Sequence, residues 1–99
     1  MAEADLVDRT QYYLDQAGRD VAARFFDAAI DALQATERMP GTGSARVGEL
    51  CHVPGLRVRR IIGFPYGWCY FIRADQLDVV RLLSDAQDLA AILNAVNDK

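Results

Sequence analysis

The sequence predicts an α+β fold, in which an N-terminal helix hairpin packs on a three-stranded antiparallel sheet and a C-terminal helix follows. Three observations predict it. Apolar residues recur at three- and four-residue steps up to about Arg38, Pro40-Gly41 breaks that period, and strict alternation takes over from Leu56.

From Glu3 to Ala17, Leu6, Val7, Tyr13, Leu14 and Ala17, with Thr10 between, keep to helical steps. Gly18 ends this helix. Arg19-Asp20 opens a second, where Ala22, Phe25, Phe26, Ala29, Ile30 and Leu33 hold the period and Arg24, Asp27, Asp31, Glu37 and Arg38 take the other positions. The short Gly-centred link makes the pair antiparallel. Residues 45–55 are a connector closed by the Pro54-Gly55 turn.

In the first strand, 56–64, Leu56, Val58, Ile62 and Phe64 face one way and Arg57, Arg59 and Ile61 the other, which leaves Arg60 on the apolar side. Pro65-Tyr66-Gly67 is read as a turn. Residues 68–73 are apolar on both faces, as a central strand is. Ala74-Asp75-Gln76 turns again and 77–83 form the third strand. Ser84 or Asp85 caps a last helix carrying Leu89, Ala90, Ile92, Leu93 and Val96. The predicted packing sets Leu6, Tyr13, Phe25, Ala29 and Leu33 against one face of the sheet.

With 99 residues, 52% hydrophobic and 25% charged, the chain has the composition of one globular domain over 1–99, which excludes disordered and collagen-like classes. Its two cysteines, Cys51 and Cys69, are too few for a disulfide framework and lack zinc spacing, so a reducing compartment is expected. No apolar run is long enough to span a bilayer, and the N-terminus is acidic where a signal peptide is basic, so no membrane and a cytoplasmic location are expected. A net charge of −3 and a pI of about 4.9 argue against direct nucleic-acid binding. The charge is uneven, however. Arg57, Arg59, Arg60, Arg73 and Arg81 all fall in the second half, where a local cationic face can survive.

Neither a catalytic constellation nor a cofactor or metal motif emerges. His52, the only histidine, sits on the connector without a nucleophile motif, and adjacent Cys51 is badly placed to work with it. Gly41 and Gly43 precede no Lys-Ser/Thr pair and read as turn glycines. Asp5, Asp8, Asp15, Asp27 and Asp31 follow the pattern of solvated helix faces. Phe25, Phe26, Trp68, Tyr70 and Phe71 are most simply core. For Arg57, Arg59 and Arg73 a solvated sheet face is the plain reading, whereas Arg60 and Arg81, on the apolar side, require carboxylate partners.

The ordered set Ala4-Asp5-Leu6, Tyr13, Ala22, Phe25-Phe26, Leu33, Pro40-Gly41, Pro54-Gly55-Leu56-Arg57, Tyr70, Val79-Val80-Arg81-Leu82-Leu83 and Asp88-Leu89 resembles the RelE/ParE family of toxins from bacterial type II toxin–antitoxin systems. The resemblance covers nearly the whole chain and leans to the ParE-like branch. It departs in three places. Family members usually begin with a strand ahead of the first helix, and carry a histidine where Ser84 stands and an arginine where Gln87 stands.

The resemblance implies a toxin that binds a cellular target, DNA gyrase, and is neutralised in a hetero-oligomer by a cognate ParD-like antitoxin. The arginines Arg57, Arg59, Arg60, Arg73 and Arg81 are then the candidate target contacts. Tyr12, Tyr13, Phe25 and Phe26 are the candidate antitoxin contacts. An antitoxin helix is expected on the hairpin, and a strand added at the sheet edge would make four strands. The isolated chain is then expected to be poorly soluble or oligomeric. The alternative is a ribosome-dependent mRNA endonuclease of the RelE type, which resembles this chain less because Lys99 is its only lysine and no tyrosine follows Tyr70. A third reading is an inactive relative kept as a binding partner.

Overall fold

The computed structural model describes residues 2–74 and 76–84. Helix α1 spans Ala2–Ala17 and α2 Arg19–Arg38. Gly18 joins them at φ 91°, in the left-handed region where a side chain is strained, and its carbonyl accepts the first bond of α2 from the Ala22 amide at 3.2 Å. After α2 comes a 3-10 turn, Pro40–Thr42, then a short helix α3, Arg46–Leu50. Strands β1 (Arg57–Arg60), β2 (Tyr66–Arg73) and β3 (Gln76–Ser84) form an antiparallel meander with β2 in the centre. This is the predicted hairpin-on-sheet arrangement. The expected C-terminal helix lies outside the described residues.

Both faces of the sheet are covered. On one, Trp68, Tyr66 and Leu82 meet Phe25, Ala29 and Ala32 of α2, with Leu6, Tyr13 and Leu33 packed around them. On the other, Cys69, Phe71, Val80 and Leu83 meet Cys51, Val53 and Leu56 of the segment after α3. That two-sided cover explains why β2 is apolar at successive positions and buried from Tyr66 to Phe71. The indole of Trp68 donates to the Ala29 carbonyl at 2.9 Å, which satisfies its buried N–H and ties β2 to α2.

Four expectations are corrected. The residue 45–55 connector holds α3, whose buried Gly48 sits so close to the Val53 and Leu56 carbonyls that a methyl group there would press on backbone at 2.8 and 2.7 Å. The first strand is four residues long and stops at Arg60, because Gly63 at φ 87° turns the chain over 62–65 and β2 begins at Tyr66, inside the expected turn. The alternation holds over 56–60, with Leu56 and Val58 packed on one face as expected, but Ile61 and Ile62 exchange their expected burial. Ile61 is 1% exposed against the hairpin, while Ile62 is 90% exposed and Arg60 is exposed rather than held on an apolar side.

The fourth correction is Phe26, expected in the core and 42% exposed. A further feature went unread. Cys69 pairs with Arg81 and Tyr70 with Val79, so Val80 is the extra residue of a β-bulge. The bulge sends Val79 and Leu82 to the hairpin face, and Val80 and Leu83 to the other.

Candidate functional site

Arg57 and Arg59 alternate along β1 on the face toward the helix hairpin, opposite Tyr70 and Trp68. Their guanidinium groups reach back to the end of α2 and the 3-10 turn after it, over residues 36–43. Arg57 Nη1 donates to the carbonyls of Gly41 at 3.1 Å and Gly43 at 2.8 Å. Arg59 Nη2 donates to the Met39 carbonyl at 3.1 Å and to Thr42 Oγ1, and Nε to Thr36 Oγ1 at 3.2 Å. The Tyr70 hydroxyl adds a bond to the Pro40 carbonyl at 2.6 Å. Together these donors tie β1 and β2 to the carbonyls and hydroxyls of the end of α2 and the 3-10 turn.

Arg81 meets the carboxylate expected of it, on α1. Its Nε lies 2.7 Å from Asp5 Oδ2 and its Nη2 3.2 Å from Oδ1, and the Leu82 amide donates to the same Oδ2 at 3.1 Å. A carboxylate in the first turn of a helix thereby pins the outer edge of β3. Arg73 pairs with Asp78 at 3.4 Å and lies 4.4 Å from the ring centre of Phe71. Arg60 and Arg73 stand opposite Gly67 and Gln76, at the two ends of β2 and its turn. The five arginines therefore do not converge on one patch, and Arg57, Arg59 and Arg81 are engaged within the chain.

The aromatic candidates divide as well. Phe25 is fully buried, its ring 5.0 Å from Tyr13 and 5.2 Å from Phe64, so it holds the hairpin to the sheet and offers nothing to a second chain. Tyr13 is half-buried beside it. Tyr12 and Phe26 are exposed at 48% and 42%, on different helices. Val7 and Leu14, two turns apart on one face of α1 and among the apolar positions at helical steps, are exposed too. Arg9, not singled out from sequence, stacks 5.0 Å from the Tyr12 ring and 5.5 Å from that of Tyr66. An arginine three residues before an aromatic on a helix is the signal that was available.

His52 sits exposed on a turn at φ 57°. Cys51 and Cys69 are both buried as free thiols. Burial pushes the Cys69 thiol up to about 12, with Arg81 opposing and Cys51 and Asp5 adding, so it is a poor nucleophile at neutral pH. Burial also pushes the Tyr13 hydroxyl up to about 12, helped by neighbouring Tyr66 and Tyr12. Among the described residues no group of three metal-ligating side chains comes together, and no helix is long and apolar enough to cross a membrane.

The family model described as ParE toxin of type II toxin-antitoxin system, parDE, matches residues 1–89. The chain belongs to this family. A solved structure, "Chromosomal ParDE TA system from P. aeruginosa", superposes with a TM-score of 0.71 at 19% identity, over 84% of this chain and 86% of that one. At that identity the likeness speaks for the fold, and it shows the ParE toxin fold to be the one described above. No curated protein matches the chain.

The weakened acidities of these two groups bear on the alkaline stability of this ParE-family chain. Both groups keep their protons in the folded state at pH values where the unfolded chain, at the ordinary 9.0 and 10.0, has lost them. Their contribution is complete below pH 9 and is lost as pH rises toward 12. A melting temperature steady from pH 7 to 8.5 and falling steeply above pH 9.5 is expected. Cys69→Ser should shift the onset of that fall upward, and an unchanged onset would contradict the assignment.

Proposed function

We propose that this ParE-family toxin acts in the cytoplasm by gripping a protein target, DNA gyrase, rather than by cutting RNA, and that a ParD-like antitoxin silences it by binding in a hetero-oligomer. The exposed apolar side of the hairpin carries the reading. Val7, Leu14 and Phe26 at 67%, 41% and 42% exposure present aliphatic and aromatic surface to water on adjacent helices, which is what an amphipathic partner helix covers. On this reading Tyr12, Phe26 and the rim of Tyr13 meet the antitoxin, and Phe25 supports them from below.

The arginines support binding over cleavage. An RNase needs cationic groups gathered with a proton-transfer group at the scissile phosphate. In this chain Arg57, Arg59 and Arg81 instead satisfy internal carbonyls and a carboxylate.

Expression of the chain without its antitoxin is expected to stop replication and induce a DNA-damage response while bulk mRNA stays intact. Co-expression of the protein encoded beside it should restore growth, and Phe26→Asp in the toxin should abolish that rescue. Codon-positioned cuts in translated mRNA soon after induction would instead establish the RelE-type endonuclease.

A further inference from the structure

Between α2 and β1 runs a groove of about 800 Å³, lined by Ala28, Ala32, Ala35 and Val58 and, at its mouth, by Ile62, which is 90% exposed. Arg38, Arg59 and Arg60 stand around it, and Asp31 is the one carboxylate in its lining. A chain of net charge −3 thus carries an apolar groove with a cationic rim.

The outer face of α1 has the opposite charge and a matching spacing. Val7, Gln11 and Leu14 follow one another down one side of the helix, at the same four- and three-residue steps as Ala28, Ala32 and Ala35 along the groove. Val7 and Leu14 are 67% and 41% exposed. Asp8 and Asp15 are exposed beside them, with Glu3 at the start of the same side. The one basic residue of α1, Arg9, is turned away and stacks on Tyr12 and Tyr66. Because α1 packs on β3 and α2 on β1, the acidic face and the groove lie at opposite edges of the helix layer and cannot meet within one copy.

We propose that the outer face of α1 in one copy docks in the α2–β1 groove of a second copy, with Val7 and Leu14 on the alanines and Ile62, and Asp8 and Asp15 toward the rim arginines. The two surfaces differ, so the contact is heterologous. Each added copy leaves one face and one groove unused, and association runs on past the dimer. A single helix face is buried at each contact, near the lower end of interface size, so the association is weak and reversible. A nucleic acid fits this groove less well, because its floor offers small aliphatic side chains and no aromatic platform for bases. No antitoxin takes part, and failure of this inference would leave the proposed function untouched.

The test is sedimentation of the 99-residue chain, free of antitoxin, over a range of concentrations. Its average mass is expected to rise past that of a dimer. Val7→Asp/Leu14→Asp damages only the face and Ala35→Glu/Ile62→Asp only the groove, so each double variant should be monomeric, while the fluorescence of buried Trp68 shows that it stays folded. Mixed in equal amounts, the two should form a dimer and stop there, because the one sound face meets the one sound groove. Arg38→Glu/Arg60→Glu should weaken the growth severalfold, and Asp8→Arg/Asp15→Arg in the same chain should restore it. A photo-crosslinking side chain at Ala35 should link to α1 of a second copy. A chain that stays monomeric, growth that survives either double variant, or a mixture that forms no dimer would overturn the proposal. So would a crosslink within one copy, or to co-purified antitoxin or nucleic acid.

Discussion

Phe25→Ala is expected to destabilise the chain by about 3–5 kcal/mol, the cost of deleting a fully buried aromatic from a core that cannot collapse around the cavity. Phe25 is 0% exposed, and its ring lies among those of Tyr13, Phe64 and Tyr66 at 5.0, 5.2 and 5.6 Å, so it joins α1, α2 and the β1–β2 turn. A domain of this size has only about 5–15 kcal/mol to lose. The variant should therefore be partly unfolded at body temperature, as denaturant titration followed by Trp68 fluorescence would show. Phe26→Ala is the matched control. Its exposed neighbour should cost less than about 1 kcal/mol, and equal losses at the two positions would mean that the hairpin packs on its other side.

Asp5→Ala is expected to cost about 2–4 kcal/mol, more than any surface ion pair, because one carboxylate accepts three N–H bonds, two from Arg81 and one from the Leu82 amide. At 18% side-chain exposure Asp5 is well shielded, and its loss strands both the Arg81 guanidinium and the outward amide of Leu82. Arg81→Met alone removes the ion pair but leaves the amide bond. The Asp5→Ala/Arg81→Met double variant should accordingly recover part of the single Asp5 loss. A double-mutant cycle should return a coupling of about 1–3 kcal/mol. A coupling near zero would show that Asp5 acts only through the Leu82 amide. The pair also bears on function, since it fixes α1, with its exposed Val7 and Leu14, against the sheet that the toxin presents.

Local periods made most of the element order legible. Helical spacing from Leu6 to Leu33, Gly18 between the helices and Pro40-Gly41 after them placed α1 and α2 within a residue of their observed ends. The turn after β1 was less legible, because Ile61-Ile62-Gly63-Phe64 keeps an alternating look while Gly63 in fact reverses the chain. The resemblance of the ordered motifs to RelE/ParE toxins named the family, since those motifs sit at the joints of the fold.

The sequence by itself thus determined the helix hairpin, the central position of β2, the family, and the need of Arg81 for a carboxylate. Each is a property of neighbours in the chain or of one side chain's desolvation. Tertiary structure alone decided which carboxylate answers Arg81, that Arg57 and Arg59 turn inward to the end of α2 and the 3-10 turn, that Ile61 rather than Ile62 is buried, and that Phe26 is left outside. These depend on which elements cover each face of the sheet. The run of apolar residues in β2 shows that both its faces are covered, but only contacts between distant residues, such as Cys51 and Phe25 with opposite sides of the sheet, show what covers each.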